Sequence, residues 1–337
     1  MATSVIDHIR GDTITAISSV ISPGSDVALL DFPNYVNAGD VMIYRGEIAC
    51  LSALDCSVEY LSDMNTYDAT TLGTRVPNGP ILLQGGGNFG DRYPVNQLFR
   101  EKVVSEHPDR QIVSLPQSFD FSDAHALARA RTVYARHPDL TIMIRDRASV
   151  STVAQEFPSN SVCFCPDMAF SIGPLRPSRE PDHDVVLLKR SDGEAAHSAE
   201  TIPSDLVRRS CVHDWRLDWF GDDLRWWPSS MSLVLLSKMS GVRRRIHPWS
   251  SRAFDKQSAI IMNNAVDTFS RGRIVVTDRL HAAILAVLLD KPAVLVDNLT
   301  GKVSAAYRDY FRSIPDVQLT ADFSEASAVV EKMLGSP

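Results

Sequence analysis

Ile81-Leu82-Leu83-Gln84-Gly85-Gly86-Gly87-Asn88-Phe89-Gly90-Asp91 runs from an apolar triplet straight into a cluster of glycines. Each glycine gives up more backbone freedom on folding than another residue would, so such a cluster needs a reason. Two reasons serve: a tight turn from strand to helix, or a place where backbone must come close to a ligand. Either reading puts the segment at the carboxyl end of a buried strand, which in open α/β sheets is where ligands bind. It is not a nucleotide fingerprint, since no Gly-Lys-Ser/Thr follows and the glycine spacing does not fit the dinucleotide pattern.

On either side of this segment two periodicities alternate. Val27–Phe32, Val58–Leu61, Ile81–Leu83, Gln111–Leu115, Thr141–Ile144 and Val162–Phe164 read as strands. Helical spacing fills about 38–54, 93–106, 122–136 and 147–156, with Asp40 and Ser122 as candidate caps. Strand-helix alternation predicts a parallel sheet wrapped by helices. Near 173–183 prolines crowd in Gly173-Pro174-Leu175-Arg176-Pro177-Ser178-Arg179-Glu180-Pro181, which reads as a linker. The alternation then restarts with strands Asp184–Leu188, Ile274–Val276 and Ala293–Val296. Helices are expected near 229–240, 251–270, 280–289, 303–312 and 322–334. The expected division is therefore α/β, with one domain over 1–175 and a second over 184–337, a cleft between them, and the last helix a candidate to pack back on the first domain.

The chain has 337 residues, 44% hydrophobic and 22% charged, which is the profile of a folded globular protein. A formal net charge of −7 argues against a general nucleic-acid binder but leaves room for a local cationic site. No apolar stretch reaches bilayer length, and Asp7, His8, Arg10 and Asp12 interrupt any secretory h-region. Cys50, Cys56, Cys163, Cys165 and Cys211 lack CxxC spacing and read as free thiols, with Cys163 and Cys165 on one strand face.

Cations recur at strand ends. Thr277-Asp278-Arg279-Leu280-His281-Ala282 follows a strand and opens an apolar helix; Asp278 is a natural N-cap, and Arg279 and His281 then sit at the positive end of the helix. Ile144-Arg145-Asp146-Arg147 repeats that arrangement, with one arginine facing the cleft and the other pairing with Asp146. Lys302 follows Gly301 beyond another strand, and Arg190 follows the strand ending at Leu188. Four such cations prepare a cleft for a small, highly charged anion, each charge-assisted hydrogen bond contributing about 1.5–3 kcal/mol. Opposite them, Asn37, Asp40, Asn88, Asp91 and Gln117 offer amides and carboxylates suited to sugar hydroxyls, and Asp167 is a further polar group at a strand end. Trp215–Trp227 is either a sugar-stacking platform or a core anchor, and Arg243-Arg244-Arg245 either meets anionic groups or is a solvated turn. No zinc-type Cys/His spacing, HExxH, Walker sequence or Gly-x-Ser-x-Gly elbow is present, so metal-free chemistry is the default expectation.

Asn37-Ala38-Gly39-Asp40, Gly85–Asp91, Pro116-Gln117-Ser118, Arg145-Asp146-Arg147-Ala148-Ser149, Pro166-Asp167 and Asp278–Ala282, in this order, resemble the polysaccharide pyruvyltransferase family. The resemblance implies two Rossmann-like domains facing a cleft, as in GT-B glycosyltransferases. It also implies transfer of pyruvate from phosphoenolpyruvate to a sugar as a cyclic ketal. His281 and Arg279 match catalytic positions, and Arg145, Arg279, His281 and Lys302 donor positions; Arg190 joins the donor set from its charge and place alone. No cofactor beyond the donor is implied. The acceptor is a glycan, free or lipid-linked, and the implied location is cytoplasmic, at the inner membrane face for a lipid-linked acceptor. Peripheral membrane association and homo-oligomerisation stay open. The rival readings are a GT-B glycosyltransferase using a nucleotide sugar and a non-enzymatic glycan-binding paralogue.

Overall fold

A computed structural model describes residues 2–190, 202–213, 243–297 and 301–335. The expected helix near 229–240, the stretch Trp215–Trp227 and the side chains of Arg243–Arg245 lie outside the described residues. The first half carries seven parallel strands: β1 (Asp26–Leu30), β2 (Ser57–Ser62), β3 (Ile81–Leu83), β4 (Gly86–Gly90), β5 (Ile112–Asp120), β6 (Leu140–Ile144) and β7 (Ser161–Phe164). They lie in the order β2-β1-β3-β5-β6-β7, with β4 paired to β5. Helices α1 (Ala2–Ser18), α2 (Ala38–Ala53), α3 (Ala69–Arg75), α4 (Pro94–Glu106), α5 (Ala124–Tyr134) and α6 (Arg147–Glu156) flank it. Strands such as Ile81–Leu83 and Leu140–Ile144 are buried throughout, because helices cover both faces of a parallel sheet.

The glycine segment is not a turn into a helix. Gly86–Gly90 is itself a strand, continuing β3 past Gln84-Gly85 and pairing with the far half of β5 through a register shift between Gly86 and Phe89. Crowding explains its composition: a Cβ on Gly85 would sit 2.8 Å from the Pro116 carbonyl oxygen, and one on Gly90 would overlap the Asp120 carbonyl. Gly86 adopts φ +130°, which side-chain-bearing residues rarely enter.

Among its described residues the second half holds five parallel strands: β8 (His183–Leu188), β9 (Ser210–His213), β10 (Gly272–Thr277), β11 (Ala293–Val296) and β12 (Val317–Thr320), in the order β12-β11-β10-β8-β9. Helices α7 (Ser204–Arg209), α8 (Arg243–Ser270), α9 (Leu280–Leu288), α10 (Lys302–Ala306) and α11 (Phe323–Gly335) accompany it, α10 running on into a π-turn over Tyr307–Phe311. The proline-rich segment joins the two sheets and is anchored to the second half, where Arg179 Nε meets Asp267 Oδ1 at 2.9 Å.

Much of the contact between the halves comes from an element not expected to make it. The closing helix α11 packs Phe323, Ala326 and Val330 on the second sheet, not back on the first. Helix α8 makes the crossing instead: Phe254 stacks on Phe32 with ring centres 4.2 Å apart, and the Tyr44 hydroxyl donates to Asp255 at 2.8 Å. Further along, Ile261, Met262, Ala265 and Phe269 join a cluster with α1, α2 and α9. The caps also differ from expectation. Asn37, one turn earlier than Asp40, caps α2; Asp123, not Ser122, caps α5; and Arg279, with no side-chain cap bond, occupies the N-cap of α9.

Candidate active site

Both strand orders reverse once, between β1 and β3 in the first sheet and between β8 and β10 in the second. Crevices outside the carboxyl ends of strands at such reversals are the binding places of open α/β sheets. The two reversals face one pocket of about 340 Å³, lined from the first half by Asn37, Asp40, Asn88 and Arg145 and from the second by Arg190, Arg279, His281 and Lys302. Four cations and a histidine thus share the space with the Asp40 carboxylate.

A buried carboxylate holds the centre. Asp167 sits at the start of a short 3-10 turn, Met168–Ile172, and its Oδ1 accepts the Ala169 N–H at 2.9 Å. Oδ2 takes Arg145 Nη1 at 2.8 Å and lies 3.4 Å from His281 Nε2, so one oxygen faces a residue from each sheet. Burial raises this carboxyl, but the Arg145 charge, His281 and the hydrogen bonds outweigh it and hold Asp167 well below the usual carboxylate range. Arg145 is further fixed by Nε donating to Ser118 Oγ at 2.9 Å and by the Tyr310 hydroxyl donating to its backbone carbonyl. Its Nη1 also approaches His281 Nε2 at 3.3 Å. The neighbouring Arg147 turns away to lie over the Phe164 ring, and Asp146 caps α6 rather than pairing with it. Gly39 explains itself here: a Cβ would stand 2.6 Å from His281 Nδ1, so the imidazole rests on bare backbone.

On the opposite side Asp278 is buried and accepts the Arg190 backbone N–H at 2.8 Å, tying the end of β8 to the end of β10. Burial raises its carboxyl above the ordinary range, against the pull of that N–H and of Arg279. The Arg279 N–H donates to Thr277 Oγ1 at 3.0 Å. Lys302 follows Gly301, which adopts φ +64°, and its ammonium stands 3.7 Å from Asp120 Oδ2.

The structure gathers His281, Arg279, Arg145, Lys302, Arg190, Asn37, Asp40 and Asn88 around the pocket. Asp91 and Gln117 are not there. Asp91 turns to the loop before α5, where it accepts the Ser122 N–H at 2.8 Å. Gln117 is fully buried in β5, its amide donating to the Gln84 carbonyl beneath the pocket floor. Tyr35, Tyr93 and Asn96 line the pocket without having been singled out. Tyr35 lies inside the Asn34–Asp40 segment and donates to Asp40 Oδ2 at 2.9 Å, whereas Tyr93 and Asn96 come from the start of α4 with no motif to mark them. Below the floor, Glu47 is enclosed and accepts the Gly85 N–H at 2.7 Å; burial pushes its carboxyl up to about 8. Among the described residues no group of three or more His, Cys, Asp or Glu is placed to hold a metal ion, and no helix is long and apolar enough to cross a membrane.

Comparison with known proteins places the chain among relatives. The family profile described as Polysaccharide pyruvyl transferase matches residues 37–300, which span every residue of the pocket just named except Tyr35 and Lys302. The chain is 32% identical over 307 residues to the Bacillus subtilis (strain 168) protein EpsO, which carries a pyruvyl transferase designation, covering 91% of this chain and 92% of that one. It is 33% identical over 288 residues to Pyruvyl transferase 1 of Schizosaccharomyces pombe, covering 81% of this chain and 66% of the longer fission-yeast protein. A crystal structure of an uncharacterized Klebsiella pneumoniae protein shares the fold with a TM-score of 0.56 at 15% identity, over 92% of this chain and 97% of that one. The chain belongs to the polysaccharide pyruvyl transferase family.

Proposed function

We propose that the chain transfers pyruvate from phosphoenolpyruvate to two hydroxyls of a glycan, forming a cyclic ketal. The observation that carries this reading is the charge of the pocket: Arg145, Arg190, Arg279 and Lys302 stand with His281 around one carboxylate, Asp40. A donor with both a carboxylate and a phosphate needs such a surplus. The same reading takes residues 1–175 and 184–337 as two Rossmann-like domains of GT-B type, each offering its strand-order reversal to the pocket. It needs no cofactor.

In this mechanism Arg145 and Arg279 hold the donor's carboxylate and phosphate, and Lys302 offsets charge on the leaving phosphate. His281 gives a proton to C3 of the enol as a sugar hydroxyl adds to C2, and that hydroxyl's proton passes to a base, for which Asp40 is the carboxylate in the pocket. The C2–O bond to phosphate then breaks. The second hydroxyl closes the ring on C2 and yields its proton to the departing phosphate, so the products are the ketal and inorganic phosphate. Asn37, Asp40 and Asn88 orient the acceptor.

Mass spectrometry of candidate glycans incubated with phosphoenolpyruvate tests the reading. A mass gain equal to pyruvate minus water supports it; no gain on any glycan, with heat of binding for nucleotide sugars and none for phosphoenolpyruvate, moves the assignment to glycosyl transfer. His281→Ala is expected to lower kcat by about 10²–10⁴-fold, the usual worth of general acid catalysis. Near-normal turnover removes the proton-transfer role. Arg279→Ala should chiefly raise the donor KM.

A further inference from the structure

A second cavity of about 230 Å³ adjoins the reaction pocket, sharing Arg145, Leu280 and Lys302 with it. The two spaces differ in charge. Where the first sets four cations against one carboxylate, the second sets Arg145 and Lys302 against Asp120 and Asp146. A second anion therefore finds no surplus positive charge there. The remaining wall combines hydroxyls, from Ser149, Tyr310 and the Ser118 that already accepts from Arg145 Nε, with apolar surface from Phe119, Ala305 and Ala306. Carboxylates and hydroxyls beside small apolar faces are what a sugar ring meets, its hydroxyls donating to oxygen and its C–H face resting on carbon. The volume lies below the about 300–1,000 Å³ of sites that take larger ligands, so it fits a single ring-sized unit.

The geometry points to a second glycan subsite: this cavity holds the uncharged sugar unit next to the one that receives pyruvate. The inference rests on the pyruvyl-transfer reading of the adjoining pocket. Because the two cavities share Arg145, Leu280 and Lys302, a glycan whose reacting unit lies beside the donor would set its next unit against the second cavity. Such a subsite spends binding energy from a non-reacting part of the substrate on positioning the reacting part, which raises kcat/KM for longer acceptors.

The test compares methyl β-glycosides of galactose, glucose and mannose with the same hexoses extended by one neutral hexose, with phosphoenolpyruvate as donor. For at least one accepted hexose, extension should raise kcat/KM about tenfold in the unaltered protein. Filling the cavity from either of two elements, by Ala305→Trp on α10 or Ser149→Tyr on α6, should abolish that gain. The use of two separate elements keeps the test decisive when one variant does not fold. The subsite is overturned if extension gives no gain on any accepted hexose, or if the gain survives in a folded variant of either kind. Absence of pyruvate transfer to every acceptor by the unaltered protein would instead remove the reaction assigned to the adjoining pocket, and the subsite with it.

Discussion

At the residue scale the site is built on two contacts with no slack. His281 rests on Gly39, where an added Cβ would stand 2.6 Å from Nδ1. Gly39→Ala is thus expected to push the imidazole off its seat while leaving α2 intact, since alanine favours a helix more than glycine does. Misplacing a reacting group by about 1 Å costs on the order of 10²-fold in rate, so kcat should fall by roughly 10–10² with a melting temperature at or above that of the parent. An unchanged kcat would show that the ring moves freely. Asp167 is the second contact, shared by Arg145 and His281. Asp167→Asn keeps the shape and removes the charge, leaving the guanidinium buried against a neutral amide, a loss of about 3–5 kcal/mol for a broken buried pair. Its pH dependence has a definite sign. Asp167 is held below its ordinary value, so its stabilisation is complete above about pH 4 and is lost as pH falls through the lower folded value. Urea unfolding should therefore show a gap between parent and variant that is constant near neutrality and narrows below about pH 4. A gap that widens on acidification would contradict the assignment.

Among the elements, glycine choices report how closely helices must approach. A Cβ on Gly46 would overlap the Met168 carbonyl oxygen, because α2 lies directly on the 3-10 turn that presents Asp167. Gly73 in α3 has open space around the same position. Gly73→Ala should add about 0.4–1 kcal/mol of stability, whereas Gly46→Ala should destabilise by at least as much as overpacking costs, about 1–3 kcal/mol, and move Asp167 with the turn. Equal effects in thermal unfolding would mean that α2 and the turn separate readily. The same local crowding shows why some elements were legible and others were not. Ile81–Leu83 and Ala293–Val296 match their expected bounds, and Leu140–Ile144 differs by one residue, because buried parallel strands leave unbroken apolar runs. Gly86–Gly90 gave no strand signal, since closeness to the Pro116 and Asp120 carbonyls across β5 demands glycines there instead of the side chains that mark a strand. Helix α8 starts at Arg243, ahead of the expected 251. Asp278 shows the same limit in the site: its type suits a cap, but only the fold brings the Arg190 N–H within 2.8 Å of it. The cations were legible because each follows an apolar run; Tyr93 and Asn96 were not, because nothing local distinguishes the first turn of α4.

For the whole molecule two electrostatic effects oppose each other. The chain carries a formal net charge of −7, so an anionic donor approaches a repelling body, and added salt weakens that repulsion. Within the pocket Arg145, Arg190, Arg279 and Lys302 attract the same donor, and added salt weakens that attraction too. Distance decides between them. The pocket cations act at hydrogen-bond range, whereas charges farther apart than the Debye length, about 10 Å at 0.1 M, are largely screened. The local attraction is partly offset where Asp167 faces Arg145 at 2.8 Å and Asp120 faces Lys302 at 3.7 Å, so its salt response should be moderate rather than steep. Raising ionic strength from about 0.05 M to about 0.5 M is accordingly expected to increase the KM for phosphoenolpyruvate severalfold and to leave that for a neutral acceptor nearly flat. Initial-rate kinetics at fixed pH measure both. A donor KM that falls with salt would mean that the negative body outweighs the pocket, and that the four cations are too fully paired to form a donor site.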